Sequence, residues 1–185
     1  MVSGLSFFTI VIFLNSIFHG CKENSKIEKP MIEAAQLSTM DSTALNFWLG
    51  TWKAAWSDSS RSYHGKNVVS KIMNDLFIHE QFEILDGPDK GYKGESFSIL
   101  DKLTGQWRQT WIDNQGEYLD FIGKKIKDTV IFERFFINLK GDNISQKMRF
   151  YNITSDSYDW DWQSKKGDGN WKMLWKIKYT REKKI

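Results

Sequence analysis

Glu80 is the side chain in this sequence with the clearest route to chemistry. Leu76, Ile78, Glu80, Phe82 and Ile84 fall at two-residue spacing, so a strand here sends a carboxyl to the same face as four apolar side chains. An enclosed carboxylate needs a partner or stays protonated. A second run, Trp107, Gln109, Trp111 and Asp113, carries Gln109 inward between two indoles and sets Asp113 near a rim. Arg134 and Arg149 are the cations available to Glu80, although the alternation in their strands does not fix their facing. A polar cluster inside an aromatic wall is the form of a site that orients a ligand. A self-satisfied buried ion pair fits the same residues. The expected wall is Trp56, Trp107, Trp111, Trp160 and Trp175, with Glu80, Gln109 and Arg134 orienting a small apolar or aromatic molecule. Two alternatives use the same residues differently. One is an isomerase or hydrolase with Glu80 as acid/base and an interior arginine. The other is an interaction module with a packed, inert core.

Other candidates are weaker. Asp159 and Asp161 alternate with Tyr158, Trp160 and Trp162, and the next strand turns Lys172, Lys176 and Lys178 outward. This reads as a solvated charge ladder rather than a catalytic carboxylate pair. His19 sits in the leader, His64 beside a turn, and His79 faces away from Glu80, so no zinc site is expected. No Gly-x-Ser-x-Gly, phosphate-loop or dinucleotide-binding glycine pattern is present. With 26 basic and 23 acidic residues, a net +3, there is no basic stripe to hold nucleic acid. No cofactor or metal is expected.

The elements that position these residues are strands. Asp41 to Trp48 reads as a short helix capping one end, stopped by Gly50. From Thr51 the period switches to two, and about ten strands follow, separated by turns such as Asn74-Asp75, Asp86-Gly87-Pro88-Asp89, Asn114-Gln115-Gly116 and Gly167-Asp168-Gly169-Asn170. In the last strand Trp171, Met173, Trp175, Ile177 and Tyr179 share the inner face. Hairpin-joined strands with no helical stretch among them predict an all-β, antiparallel up-and-down barrel.

Ahead of this domain, residues 1–20 carry no Lys, Arg, Asp or Glu and contain an apolar run of about fourteen residues, the length of a signal-peptide core. The single cysteine, Cys21, follows at once, and Gly20-Cys21 resembles a bacterial lipobox. That resemblance implies cleavage, a lipid on Cys21 and a place in the bacterial cell envelope, on the periplasmic or surface side of the outer membrane. Residues 21–40, polar and holding Pro30, read as the lipidated N-terminus and its tether, and 41–185 as the barrel domain.

Gly50-Thr51-Trp52 resembles the Gly-x-Trp of the first strand of calycin barrels, the superfamily of lipocalins and fatty-acid-binding proteins. The resemblance implies that Trp52 packs at the closed end and that Arg181, in Tyr179-Thr180-Arg181, lies across it. The haem-binding nitrobindin branch continues with a glycine-rich motif. Here Lys53-Ala54-Ala55-Trp56 follows, so haem is not implied. A fuller likeness is to an uncharacterised lipocalin-like family of bacterial lipoproteins and secreted proteins. It is carried by Phe47-Trp48-Leu49-Gly50-Thr51-Trp52, Glu80, Gly94-Glu95-Ser96, Trp107-Arg108-Gln109-Thr110-Trp111-Ile112-Asp113-Asn114-Gln115-Gly116 and Tyr179-Thr180-Arg181. It implies a barrel with an interior site, and no reaction.

Overall fold

The structure, a computed structural model, describes residues 41–59 and 61–183. The expected signal peptide, Cys21 and tether lie outside the described residues.

Ten strands run in sequence: β1 (Gly50–Ser57), β2 (Ser62–Ile72), β3 (Phe77–Ile84), β4 (Lys93–Asp101), β5 (Gln106–Asp113), β6 (Tyr118–Ile126), β7 (Thr129–Ile137), β8 (Asn143–Tyr151), β9 (Ser157–Lys166) and β10 (Lys172–Arg181). Each pairs antiparallel with its sequence neighbours, and β1 also pairs with β10, closing the barrel. The turn residues do the work expected of them. Asn74 and Asp75 take positive φ between β2 and β3, conformations that asparagine and aspartate tolerate better than most residues.

The helix expected over 41–48 does not form. One 3-10 turn, Asn46–Trp48, stands in its place, after a stretch of i to i+3 hydrogen bonds that begins at Asp41. The segment is too short to propagate an α-helix, and packing fixes it instead. Leu45 and Trp48 are fully buried against the end of the barrel. The Trp48 indole donates to the Tyr158 hydroxyl at 3.0 Å, and the Trp52 indole donates to the Trp48 carbonyl at 2.8 Å.

Arg181 locks this closed end. Its guanidinium lies 4.0 Å from the centroid of the Trp52 ring, a contact worth about 1 kcal/mol. It also donates to the carbonyls of Leu49 (2.7 Å), Phe47 (3.0 Å) and Ser155 (2.5 Å). Gly50 has φ +125, and a Cβ there would lie 2.5 Å from the Arg181 guanidinium, so both the backbone and the space demand glycine.

Three features of the wall depart from simple alternation. First, β10 has a register shift between Met173 and Trp175. It keeps Trp175, Ile177 and Tyr179 on the inner side but leaves Met173 and Leu174 exposed. Trp171 is not an inner residue. It stacks with the ammonium groups of Lys147 and Lys165 on the outer face. Second, Asp161 is no member of a solvated ladder. It is fully buried on the outer side, bound by Arg149 through Nε (3.0 Å) and a terminal nitrogen (2.5 Å) and by the Gln163 amide (3.0 Å). The planar guanidinium matches a carboxylate as a lysine cannot, so Arg149, opposite in the β8–β9 register, takes the place expected of the β10 lysines. Asp159 receives the Asn152 amide. Third, β6 and β7 pair only over 122–126 and 129–133. Residues 118–121 and 134–137 splay apart, which opens a seam in the wall.

Candidate functional site

Alternation turns Asn67 of β2, Glu80 of β3, Ser96 and Ser98 of β4 and Gln109 of β5 into the barrel, and all five are buried. They form one hydrogen-bonded chain. Asn67 donates its amide to Glu80 at 2.8 Å, and the Ser96 hydroxyl donates to the other Glu80 oxygen at 2.7 Å. Gln109 donates to the hydroxyls of Ser98 (2.9 Å) and Ser96 (3.3 Å). No arginine enters this network: Arg149 is spent on Asp161, and Arg134 faces elsewhere. Burial pushes the Glu80 carboxyl up to about 7, although its hydrogen bonds from Ser96 and Asn67 pull the other way. The interior therefore holds a carboxyl that changes protonation near neutrality.

Above this floor is a cavity of about 130 Å³. Its walls include Phe82, Trp111, Trp160, Trp162 and Trp175, and Glu80, Gln109 and the tyrosines Tyr92 and Tyr179 are its polar residues. Trp111 fits because Gly94 lies beneath it. A Cβ at Gly94 would come within 1.9 Å of the indole. The Trp111 indole points to Asp113 at the rim, at 3.3 Å. Burial works against Asp113, but bonds from the Glu117 amide, Tyr92, the Gln115 amide and Trp111 hold its carboxyl below the usual range. Burial and that carboxylate raise the Tyr92 hydroxyl in turn.

The mouth beyond is an open hollow of about 610 Å³, lined by Trp56, Tyr63, Tyr92, Trp162 and Trp175 and edged by Asp58, Asp86 and Asp89. Trp56 stands here, edge-on to Trp175 at 5.2 Å, and not on the inner cavity. Trp107 is also away from the cavity. It is buried toward the closed end, where its indole donates to the Asp41 carbonyl at 3.1 Å. Of the eight residues expected to meet a ligand, the structure gathers Glu80, Gln109, Trp111, Trp160 and Trp175 around one cavity and sets Trp56, Trp107 and Arg134 elsewhere. Sequence reasoning passed over Asn67, Ser96 as a partner of Glu80, and Trp162 as a cavity wall. Asn67 shares its face with Tyr63 and Val69, and that shared face was the available signal.

The described residues thus define a closed, ten-stranded antiparallel β-barrel with a small aromatic chamber lined by one carboxyl, that of Glu80. No protein-family model and no curated protein matches the sequence. Among solved structures, the crystal structure of Rv2717c from M. tuberculosis is similar. It shares 13% identity over 77% of this chain and 98% of that chain, with a TM-score of 0.50. The likeness is one of fold.

Proposed function

We propose that this chain is a calycin-like, lipid-anchored envelope protein that holds a small apolar or aromatic molecule in its barrel. The observation that carries the binding reading is the 130 Å³ cavity, walled by indoles and floored by Glu80 and Gln109. Its size limits the ligand. Drug-sized pockets run from roughly 300 Å³ upward, and an apolar cavity of about 150 Å³ accepts benzene. One aromatic ring with a single polar substituent matches both volume and lining. The calycin reading is supported by the Gly50, Trp52 and Arg181 arrangement, and the anchor by Cys21 at the end of its apolar run.

Native mass spectrometry of the chain, purified gently from its own envelope, tests the binding. A bound small molecule, or quenching of tryptophan emission by phenol or indole, is expected. An apo mass with no response to single-ring compounds refutes the reading. Cys21→Ser tests the anchor: the protein moves from the membrane to the soluble fraction if Cys21 carries the lipid.

A second reading has its own support. Glu80 titrates near neutrality, has no ion-pair partner among the described residues and lines the cavity, as a general acid/base must. A co-purified molecule recovered chemically changed by wild type, and unchanged by Glu80→Gln, marks an enzyme. Equal recovery from both marks a carrier.

A further inference from the structure

Among the described residues Arg134 has no polar partner. Among the described residues no hydrogen bond and no carboxylate within ion-pair distance reaches its guanidinium, which lies 4.5 Å from the Phe136 ring and 5.9 Å from the Phe121 ring. Its Nε is buried and unsatisfied, as is Oε1 of Gln146, the residue opposite it in the β7–β8 register. A half-buried charge without a counter-charge costs stability, so its retention calls for an explanation outside the resting fold.

The seam supplies one. Where β6 and β7 separate, an open cleft of about 840 Å³ runs over the wall from β5 to β8. Arg134, Gln146, Gln109 and Phe121 face it through the gap, and Tyr118 and Phe135 flank it. Gln109 and Phe121 line both this cleft and the inner cavity, so they form the partition between the two. The ions in the cleft mostly cancel. Lys124 bridges Glu133 at 2.6 Å, and Arg108 contacts Asp101 at 3.4 Å. Arg134 and Lys165 then face the exposed Asp120 alone. The mouth of the barrel is edged by Asp58, Asp86 and Asp89, whereas the cleft carries the cation of Arg134.

We propose that the β6–β7 cleft is a second binding site, for a small organic anion. Its carboxylate, sulfonate or phosphate accepts hydrogen bonds from Arg134, and its flat apolar body lies against Phe121, Phe135 and Tyr118. The cleft has the volume of a small-molecule site, and a guanidinium over aromatic rings pairs well with a planar anion. This site is independent of the inner cavity, which is too small for a fused-ring ligand.

Calorimetric titration of the full chain with 1-naphthalenesulfonate and, separately, with neutral 1-naphthol tests the proposal. The sulfonate binds wild type. Arg134→Gln weakens it by about tenfold or more, the loss of one charge-assisted contact, and changes naphthol binding by less than about twofold. Phe135→Glu, an exposed substitution on the flank, weakens the sulfonate in the same direction and guards against a folding defect in the first variant. Saturating phenol does not displace the sulfonate, which separates this site from the inner cavity. Absence of sulfonate binding to wild type, equal affinity in Arg134→Gln, or naphthol binding as tightly as the sulfonate overturns the proposal.

Discussion

The β8–β9 wall and the β6–β7 seam each place one arginine on the barrel, and they treat it in opposite ways. Arg149 meets a fully buried carboxylate at two points, and Gln163 meets it at a third. Among the described residues Arg134 meets only ring faces. The first charge is matched within the fold, and its loss strands Asp161. The second is unmatched, and its loss strands nothing. Glu80 lies between these cases. It is satisfied in hydrogen bonds but has no counter-charge among the described residues, and it answers by taking up a proton near neutrality. Matched charge belongs to architecture; unmatched charge is available to a ligand.

The largest effect expected from that contrast is at Arg149. Arg149→Met should cost about 3 kcal/mol in urea unfolding, the low end for a broken buried pair, because Arg149 is itself 34% exposed and water follows its removal. A cost below about 1 kcal/mol would erase the distinction between the two arginines.

Next comes the pH dependence set by Glu80. Its folded value of about 7 lies above the ordinary 4.5, so between those values the folded state holds a proton that the unfolded state has released. The Glu80 contribution to stability is therefore fully present below about 4.5 and is lost as pH rises through 7, about 3 kcal/mol in total. Unfolding curves of wild type across this range should show the decline, and Glu80→Gln should abolish this component. An unchanged slope in the variant assigns the effect to other groups.

Gly94→Ala tests whether the two chambers are separate. Its Cβ meets Trp111, so the indole must move, at about 1–3 kcal/mol. Single-ring binding in the cavity should be lost while naphthalenesulfonate binding in the cleft persists. Loss of both would show a single continuous site. The smallest stability effect belongs to Arg134→Met, expected within about 1 kcal/mol of wild type and in the stabilising direction, since it removes an uncompensated charge. A cost above that would reveal a structural role for Arg134.

The strands were legible because their turns carry residues of distinctive backbone preference and their faces alternate. The inward course of Glu80 and Gln109 followed from the same alternation. What was hidden came from pairing, which alternation does not encode. The register shift ahead of Trp175 moves Trp171 and Met173 off the inner face, yet the sequence alternates smoothly through it. Asp161 and the β10 lysines looked like neighbours in a ladder; the buried carboxylate was instead taken by Arg149 across the other seam. The β6–β7 gap leaves no mark on the sequence, because both strands continue past the point where their pairing ends. The sequence marks Arg134 as a ligand-orienting group, but the cleft it faces exists only because of that gap. The short helix failed for a different reason: tertiary burial of Leu45 and Trp48 decided the local conformation.

The clasp made by Arg181 also sets a timetable. It joins the last strand to the first, with Trp52 opposite Arg181 in the β1–β10 register. Every other seam closes between strands adjacent along the chain, by loops that form early. This one must wait until nearly the whole domain has been synthesised. Until then β1 and β9 each present an unpaired edge beside aromatic side chains, the surface on which chains aggregate. Closing β1 on β10 is thus the longest-range pairing in the barrel, and a chain cut short of β10 keeps both edges open.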